Sequence, residues 1–194
     1  QYLQPILFNP GATGFQGDHQ LLAGYKHMWS DFPDAPRTFT GIYHGSFADN
    51  LGLGFQVLTD RVGVSQLTHG QLNFAYRIPF DKLLLSVGMS AGLQTHKIVD
   101  VQNDPFIDIT DPLLNEAIDG YMLFDGGLGV YGEVDERLFF GVSFPDLIKS
   151  RLTEISGDIN LPEFDKFSYA FLLGYRFNVE NYDFTIEPSI TVKD

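Results

Sequence analysis

The stretch Leu83-Leu84-Leu85-Ser86-Val87-Gly88-Met89-Ser90-Ala91-Gly92-Leu93-Gln94-Thr95-His96 decides the fold class. Successive side chains of a β-strand point to opposite faces. One face of this stretch carries Leu83, Leu85, Val87, Met89, Ala91 and Leu93; the other carries Ser86, Gly88, Ser90, Gly92, Gln94 and His96. An apolar face backed by small and polar residues suits a wall between lipid and water. A soluble sandwich strand also alternates, but it turns its apolar face inward and usually carries more charge outside. The expectation is therefore a transmembrane β-barrel with the odd-numbered residues toward lipid. On that reading an arginine is costly at Val87 and better tolerated at Gly88, unless the lumen is tightly packed.

Working outward, about nine strands can be read: His19–Trp29, Thr38–Ala48, Leu51–Leu58, Ser65–Ile78, Leu83–His96, Tyr121–Gly132, Leu138–Phe144, Phe167–Phe177 and Phe184 to the end. The connections after the second, fourth, sixth and eighth are tight: Asp49-Asn50, Pro79–Asp81, Glu133–Arg137 and Asn178–Asp183. The others are longer, with Asp60, Arg61 and Gly63 in one and two long loops at 97–120 and 145–166. Barrels of bacterial outer membranes have short periplasmic turns and longer extracellular loops. Residues 1–18, broken by Pro5, Pro10, Gly11, Gly14 and Gly17, are then an irregular periplasmic segment, and 19–194 the barrel. An odd strand count and a C-terminal end without a closing aromatic residue read as an incomplete copy of a larger all-β, antiparallel outer-membrane barrel; the alternative is that strand one or two is miscounted and eight strands close.

Composition agrees. The 194 residues hold no run of eighteen apolar residues, so no transmembrane helix is expected. Phe 18 and Tyr 9 supply material for interfacial girdles, with Trp29, Tyr25, Tyr76, Tyr169 and Tyr175 as candidates, and Gly 20 suits a crowded lumen. The absence of cysteine removes disulfides and thiolate metal sites. A net charge of −13 disfavours nucleic acid, which needs a basic face. With no basic region before an apolar one at Gln1, the chain reads as a mature form whose signal has been removed.

Several fragments, in order, resemble the PorP/SprF family of Bacteroidota outer-membrane proteins. Leu7-Phe8-Asn9-Pro10-Gly11-Ala12-Thr13-Gly14 is similar to its N-terminal Asn-Pro-Ala-x-x-Gly signature, with Gly11 in place of alanine. Ala23-Gly24-Tyr25-Lys26-His27-Met28-Trp29 is similar to its Tyr-Arg-x-Gln-Trp element, with Lys26 and Met28 as departures. Pro36-Arg37-Thr38, Leu51–Gly54 followed by Asp60–Gly63, Tyr76-Arg77-Ile78 and Glu187-Pro188-Ser189 fit later elements. The family-motif residues carried over are Asn9, Pro10, Gly14, Tyr25, Trp29 and Thr38. Members of the family generally continue about a hundred residues further, which fits the incomplete barrel. The resemblance implies an outer-membrane, non-enzymatic component of the type IX secretion system, linked to secretion or anchoring of gliding adhesins. Its partners would be other outer-membrane proteins, secreted or surface proteins, lipid and lipopolysaccharide. The alternatives are a passive pore, or an accessory barrel of a transporter or insertion machinery.

Other motifs carry less. Gly127-Leu-Gly-Val-Tyr-Gly132 spells a dinucleotide fingerprint, but that motif must open a helix, and here a strand continues; lumen-facing glycines explain it better. The run from Ile98 to Glu136 is acidic and has no Lys or Arg. Carboxylates can hold calcium, but no Asp-x-Asp-x-Asp-Gly loop occurs, and a solvated surface or a face for a partner is preferred. That loop mixes Asp104, Asp108 and Asp111 with Phe106, Leu113 and Leu114, a composition suited to protein docking, so these six are the partner-contact candidates. His19, His27, His44, His69 and His96 form no metal-binding spacing, and Ser86, Ser90 and Ser143 sit in strands without a nucleophile motif. No cofactor, metal or catalytic residue is assigned.

Overall fold

The structure, a computed structural model, describes residues 4–29, 31–32, 35–99, 120–151, 168–178 and 185–193. Two 3-10 turns, Pro5–Leu7 and Pro10–Ala12, open the chain. The strands are β1 Gln20–His27, β2 Arg37–Ala48, β3 Leu51–Val62, β4 Ser65–Pro79, β5 Leu83–Ile98, β6 Tyr121–Val134, β7 Leu138–Arg151, β8 Ala170–Tyr175, β9 Phe177–Asn178, β10 Thr185–Ile186 and β11 Ser189–Lys193. Nine of them form one antiparallel sheet in the order β1-β2-β3-β4-β5-β6-β7-β8-β11. β9 and β10 continue the β8–β11 hairpin: Thr185 faces Asn178 and Ser189 faces Gly174. Pro188, which has no N–H, and Arg176, whose N–H goes to the Arg137 carbonyl at 2.7 Å, mark the break between the two pieces. The fold is all-β, a barrel wall whose sheet stays open between the edge strands β1 and β11. No helix among the described residues is long and apolar enough to cross a membrane.

Alternation places the apolar face outside. In β5, Val87, Met89 and Leu93 are 44%, 54% and 48% exposed, whereas Ser86, Gly88, Ser90 and Gly92 are buried. In β4, Leu72, Phe74, Tyr76 and Ile78 point out while Asn73, Ala75 and Arg77 are buried. In β8, Phe171 and Leu173 are outside and Ala170 and Leu172 inside. Ladders in register hold these faces, with Met89 between Phe74 of β4 and Leu128 of β6. Of the girdle candidates, Tyr25, Trp29 and Tyr76 are exposed, and Tyr169 and Tyr175 are half-buried.

Two connections differ from the expectation. β3 continues through Asp60 and Arg61 to Val62, which pairs with Ser65, so only Gly63-Val64 turns the chain. Polar residues there lengthen the strand at its rim: the Thr38 hydroxyl of β2 donates to Asp60 Oδ1 at 2.6 Å. The longer-loop rhythm therefore fails at this position. β7 likewise passes Pro145 and runs to Arg151, so 145–151 is strand rather than loop. A bulge makes this possible. Register shifts between Leu128↔Phe144 and Gly126↔Ile148, and Gly127 sits where a Cβ would meet the Pro145 carbonyl oxygen at 2.5 Å. Proline within a sheet is tolerated at such bulges because no ladder N–H is required of it. β5 similarly extends to Ile98, past the expected loop boundary.

The core lies between the wall and residues 4–18. Ala12 and Phe15 pack on Tyr131 of β6, Phe139 of β7 and Leu172 of β8, with Phe8 and Leu84 against them. Phe15 and Tyr131 meet edge to face, centroids 4.7 Å apart.

Candidate functional site: the lumen and its inner segment

Ile6, Asn9, Pro10, Gly11, Ala12, Thr13, Gly14 and Phe15 are all buried, and hydrogen bonds or close approaches link the segment to six successive strands, β2 to β7, besides its packing on β8. A Cβ built on Gly52 of β3 would lie 2.1 Å from the Thr13 carbonyl oxygen; on Gly88 of β5, 2.4 Å from Gly11 N; on Gly129 of β6, 2.2 Å from Asn9 Oδ1; and on Gly141 of β7, 2.8 Å from Asn9 Nδ2. Six neighbouring strands laid flat would span about 24 Å, so one short segment reaches all of them only because the sheet curves around it. Glycine at these wall positions leaves out the side chain whose place the segment's backbone or the Asn9 side chain takes.

Proline sets the entry to each 3-10 turn, where its missing N–H costs nothing. Asn9 caps the second turn: its Oδ1 accepts from Gly11 N at 2.9 Å, while its Nδ2 donates to the Val130 carbonyl of β6 at 2.9 Å. Ser143 of β7 donates to the Phe8 carbonyl at 2.7 Å. Gly14 has φ 62, a left-handed backbone that glycine adopts without steric cost, and its N–H donates to His44 Nδ1 at 3.2 Å.

Arg77 fastens the segment to the short-turn end of the wall. Its Nη1 donates to the Phe15 carbonyl at 3.2 Å, and its Nη2 donates to Ser46 Oγ and to the Asp49 carbonyl, the latter at 2.7 Å. At the same rim Arg176 donates to Glu187 Oε1 at 2.5 Å and to Glu133 Oε1 at 3.0 Å, joining the β6–β7 turn to the last hairpin. Hydrogen bonding to Glu187, with the Glu133 charge beside it, raises the Arg176 pKa further above its ordinary value.

Beyond the segment the inner face is polar. Gln56 Nε2 donates to Gln71 Oε1 at 2.7 Å, and Gln71 Nε2 to Asn73 Oδ1 at 2.8 Å. His69 Nε2 lies 2.8 Å from Asp125 Oδ2. This pair has the spacing of a base and its orienting carboxylate, but the inward Ser90 hydroxyl has no partner in the structure, so the pair does not extend to that nucleophile. Among the described residues no group of three His, Asp or Glu side chains could hold a metal. On the outer wall, a groove of about 450 Å³ lined by Tyr43, Phe47, Phe55, Phe74 and Met89 is almost wholly apolar.

The residues singled out from sequence fall in two places. Asn9, Pro10 and Gly14 come together inside the lumen. Tyr25 (67% exposed) and Trp29 lie on and just beyond the edge strand β1, and Thr38 is in β2 opposite Lys26. Asp104, Phe106, Asp108, Asp111, Leu113 and Leu114 lie outside the described residues. The fingerprint-like glycines sit within β6, not at a helix start. Gly127 faces the bulge and Gly129 the inner segment, but Gly132 points outward under the Phe140 ring, which corrects the all-lumen reading. Sequence reasoning missed Ile6, Thr13, Phe15, Arg77 and Ser143. The one available signal was the apolar trio Ile6, Phe8 and Phe15 in a segment otherwise written as loop.

A family model described as "Type IX secretion system membrane protein PorP/SprF" matches residues 1–194. No curated protein and no solved structure matches the chain.

Proposed function

Because the chain belongs to the PorP/SprF family, it is an outer-membrane component of the type IX secretion system, and we propose that it acts there as a non-enzymatic barrel that holds secreted or surface-anchored proteins at the membrane. The observation that favours a scaffold over a passive pore is the inner segment. Residues 4–18 pack inside the wall in backbone contact with β3, β5 and β6, and a small cavity of about 60 Å³ lies between that segment and His44 and Tyr131. A solute channel needs a continuous aqueous path, and a segment packed inside the wall favours a scaffold over such a path. Recognition is then left to the loops, because the outer wall offers a generic apolar surface to lipid and lipopolysaccharide. The net charge of −13 argues against nucleic acid as a partner.

Purified protein in planar bilayers tests the scaffold reading: it should be without steady conductance and should co-purify with other proteins of the secretion system. A stable, solute-selective current from the intact protein would favour the pore instead. Deleting Asp104 to Glu116 should leave assembly intact, because loops tolerate length changes, and should lower partner recovery in a mild-detergent pull-down. Normal barrel levels with unchanged recovery would remove this loop from the interface.

The side of each loop follows from the same reading. The connection containing Asp108 is extracellular, and the Glu133–Arg137 turn is periplasmic. An epitope tag at Asp108 should be reached by antibody on intact cells and one at Asp135 should not. The opposite pattern would invert the topology.

A further inference from the structure

The inner segment is held in the lumen differently from the way the strands hold one another. Every backbone–backbone hydrogen bond it makes among the described residues is internal: Leu7 N to Gln4 O, Asn9 N to Pro5 O, Ala12 N to Asn9 O, Thr13 N to Pro10 O, Phe15 N to Ala12 O and Gly17 N to Gly14 O, among others. Its bonds to the wall among the described residues all involve a side chain, from Asn9, Gln20, His44, Arg77 or Ser143. Leaving the lumen would therefore break few bonds and no ladder. The wall ladders from β2 to β7 are complete without it.

The docked state also carries unpaired polar atoms on both sides of the contact. Thr13 Oγ1, His44 Nε2 and Arg77 Nε are buried with no hydrogen-bond partner. A buried polar group without a partner is costly, and water would relieve it. Finally, the segment leads into the wall through two left-handed glycines. It joins β1 at Gln20 through Gly14 (φ 62) and Gly17 (φ 87), and a Cβ on Gly17 would meet only Arg77 Nη1, at 3.7 Å. Two left-handed glycines with open space at the second make a hinge at the short-turn end.

We propose that residues 4–18 are a displaceable gate, hinged at Gly14–Gly17 and latched by Arg77, which leaves the lumen toward the short-turn end. The gate goes beyond the scaffold reading and does not depend on which partners the loops bind. Hydrogen exchange of the full chain in lipid nanodiscs tests it. The amides of Leu7, Phe8, Ala12 and Thr13 should exchange about 100-fold faster than those in the β4–β5 ladder, as expected for a unit that opens on its own. Arg77→Gln should speed them about tenfold more while leaving the ladder unchanged.

A lock provides the second variant. A Cβ on Gly54 would lie 3.0 Å from Thr13 Cγ2, which brings residues 13 and 54 within disulfide reach, and the chain has no cysteine of its own. Oxidised Thr13→Cys/Gly54→Cys should slow exchange in the segment to the ladder's rate, and reduction should restore it. Ladder-like protection of the segment in the unmodified protein would overturn the gate. So would fast exchange that the disulfide leaves unchanged, because it would arise without displacement.

Discussion

Replacing Gly88 by leucine should expel the inner segment from the lumen while leaving the wall paired. A Cβ at position 88 would stand 2.4 Å from Gly11 N and 2.4 Å from the Pro10 carbonyl carbon. Both are backbone atoms in a segment already held by Asn9 and Ser143, so neither can rotate away as a side-chain tip would. Overfilling a packed site usually costs about 1–3 kcal/mol, and Gly88→Ala should lose roughly that in urea-dependent refolding into liposomes. The larger Gly88→Leu side chain cannot be accommodated by a shift of a few tenths of an ångström. It should give steady conductance in planar bilayers, matching a protein lacking residues 4–18, and free-peptide exchange rates at Leu7 and Thr13. A silent bilayer with a protected segment would show that the segment repacks around the new side chain. This is the condition attached to the sequence reading of Gly88: the lumen is tightly packed there, so the inward face is no safer for a large residue than the outward one.

The strands were legible because their information is local. β5 and β8 alternate cleanly, and a period of two can be read from a handful of neighbouring residues. The end of β3 and the end of β7 were not, because polar Asp60 and Arg61 and helix- and strand-breaking Pro145 look like punctuation. Only the partner strand reveals that Val62 still pairs with Ser65, or that Gly127 yields room for the Pro145 bulge. The inner segment was least legible. Asn9 reaches Val130 and Ser143 reaches Phe8, contacts that span most of the chain. Nothing periodic in residues 4–18 announces a fixed surface, and Pro5, Pro10 and Gly14 read equally well as a loose connection.

The same contrast explains the glycines. Their abundance suggested small lumen-facing residues, and Gly52, Gly88, Gly129 and Gly141 do face inward, where each is matched to a backbone atom of the inner segment or to Asn9. Others sit under rings instead. Phe139 covers Gly174 on the inner face, and Phe140 covers Gly132 on the outer one. Such aromatic cover pins the register of neighbouring strands, so composition alone could not separate a glycine that makes room for the segment from one that seats a cross-strand ring.

Arginine in place of Met89 should be among the most damaging changes to the outer wall. Met89 lies near the middle of the outward apolar row from Leu83 to Leu93, is 54% exposed, and is paired with Phe74 on one side and Leu128 on the other. Neither neighbour offers an acceptor, and Lys82 and Lys97, at the two ends of β5, mark where water returns. Arginine on the lipid face costs about 2–4 kcal/mol at the midplane and falls to about 0–1 kcal/mol near the interfaces. Met89→Arg should therefore lower folding stability in liposomes by the larger amount. Val87→Arg, closer to the Pro79–Leu83 turn, should lose somewhat less, and Thr95→Arg, beyond the apolar row, least. Such a gradient along one strand separates lipid exposure from general crowding, because a soluble surface would tolerate all three substitutions alike. Equal stability of the Met89 and Thr95 variants would reject the lipid-face assignment of β5, and with it the reading of the alternating stretch on which the wall rests.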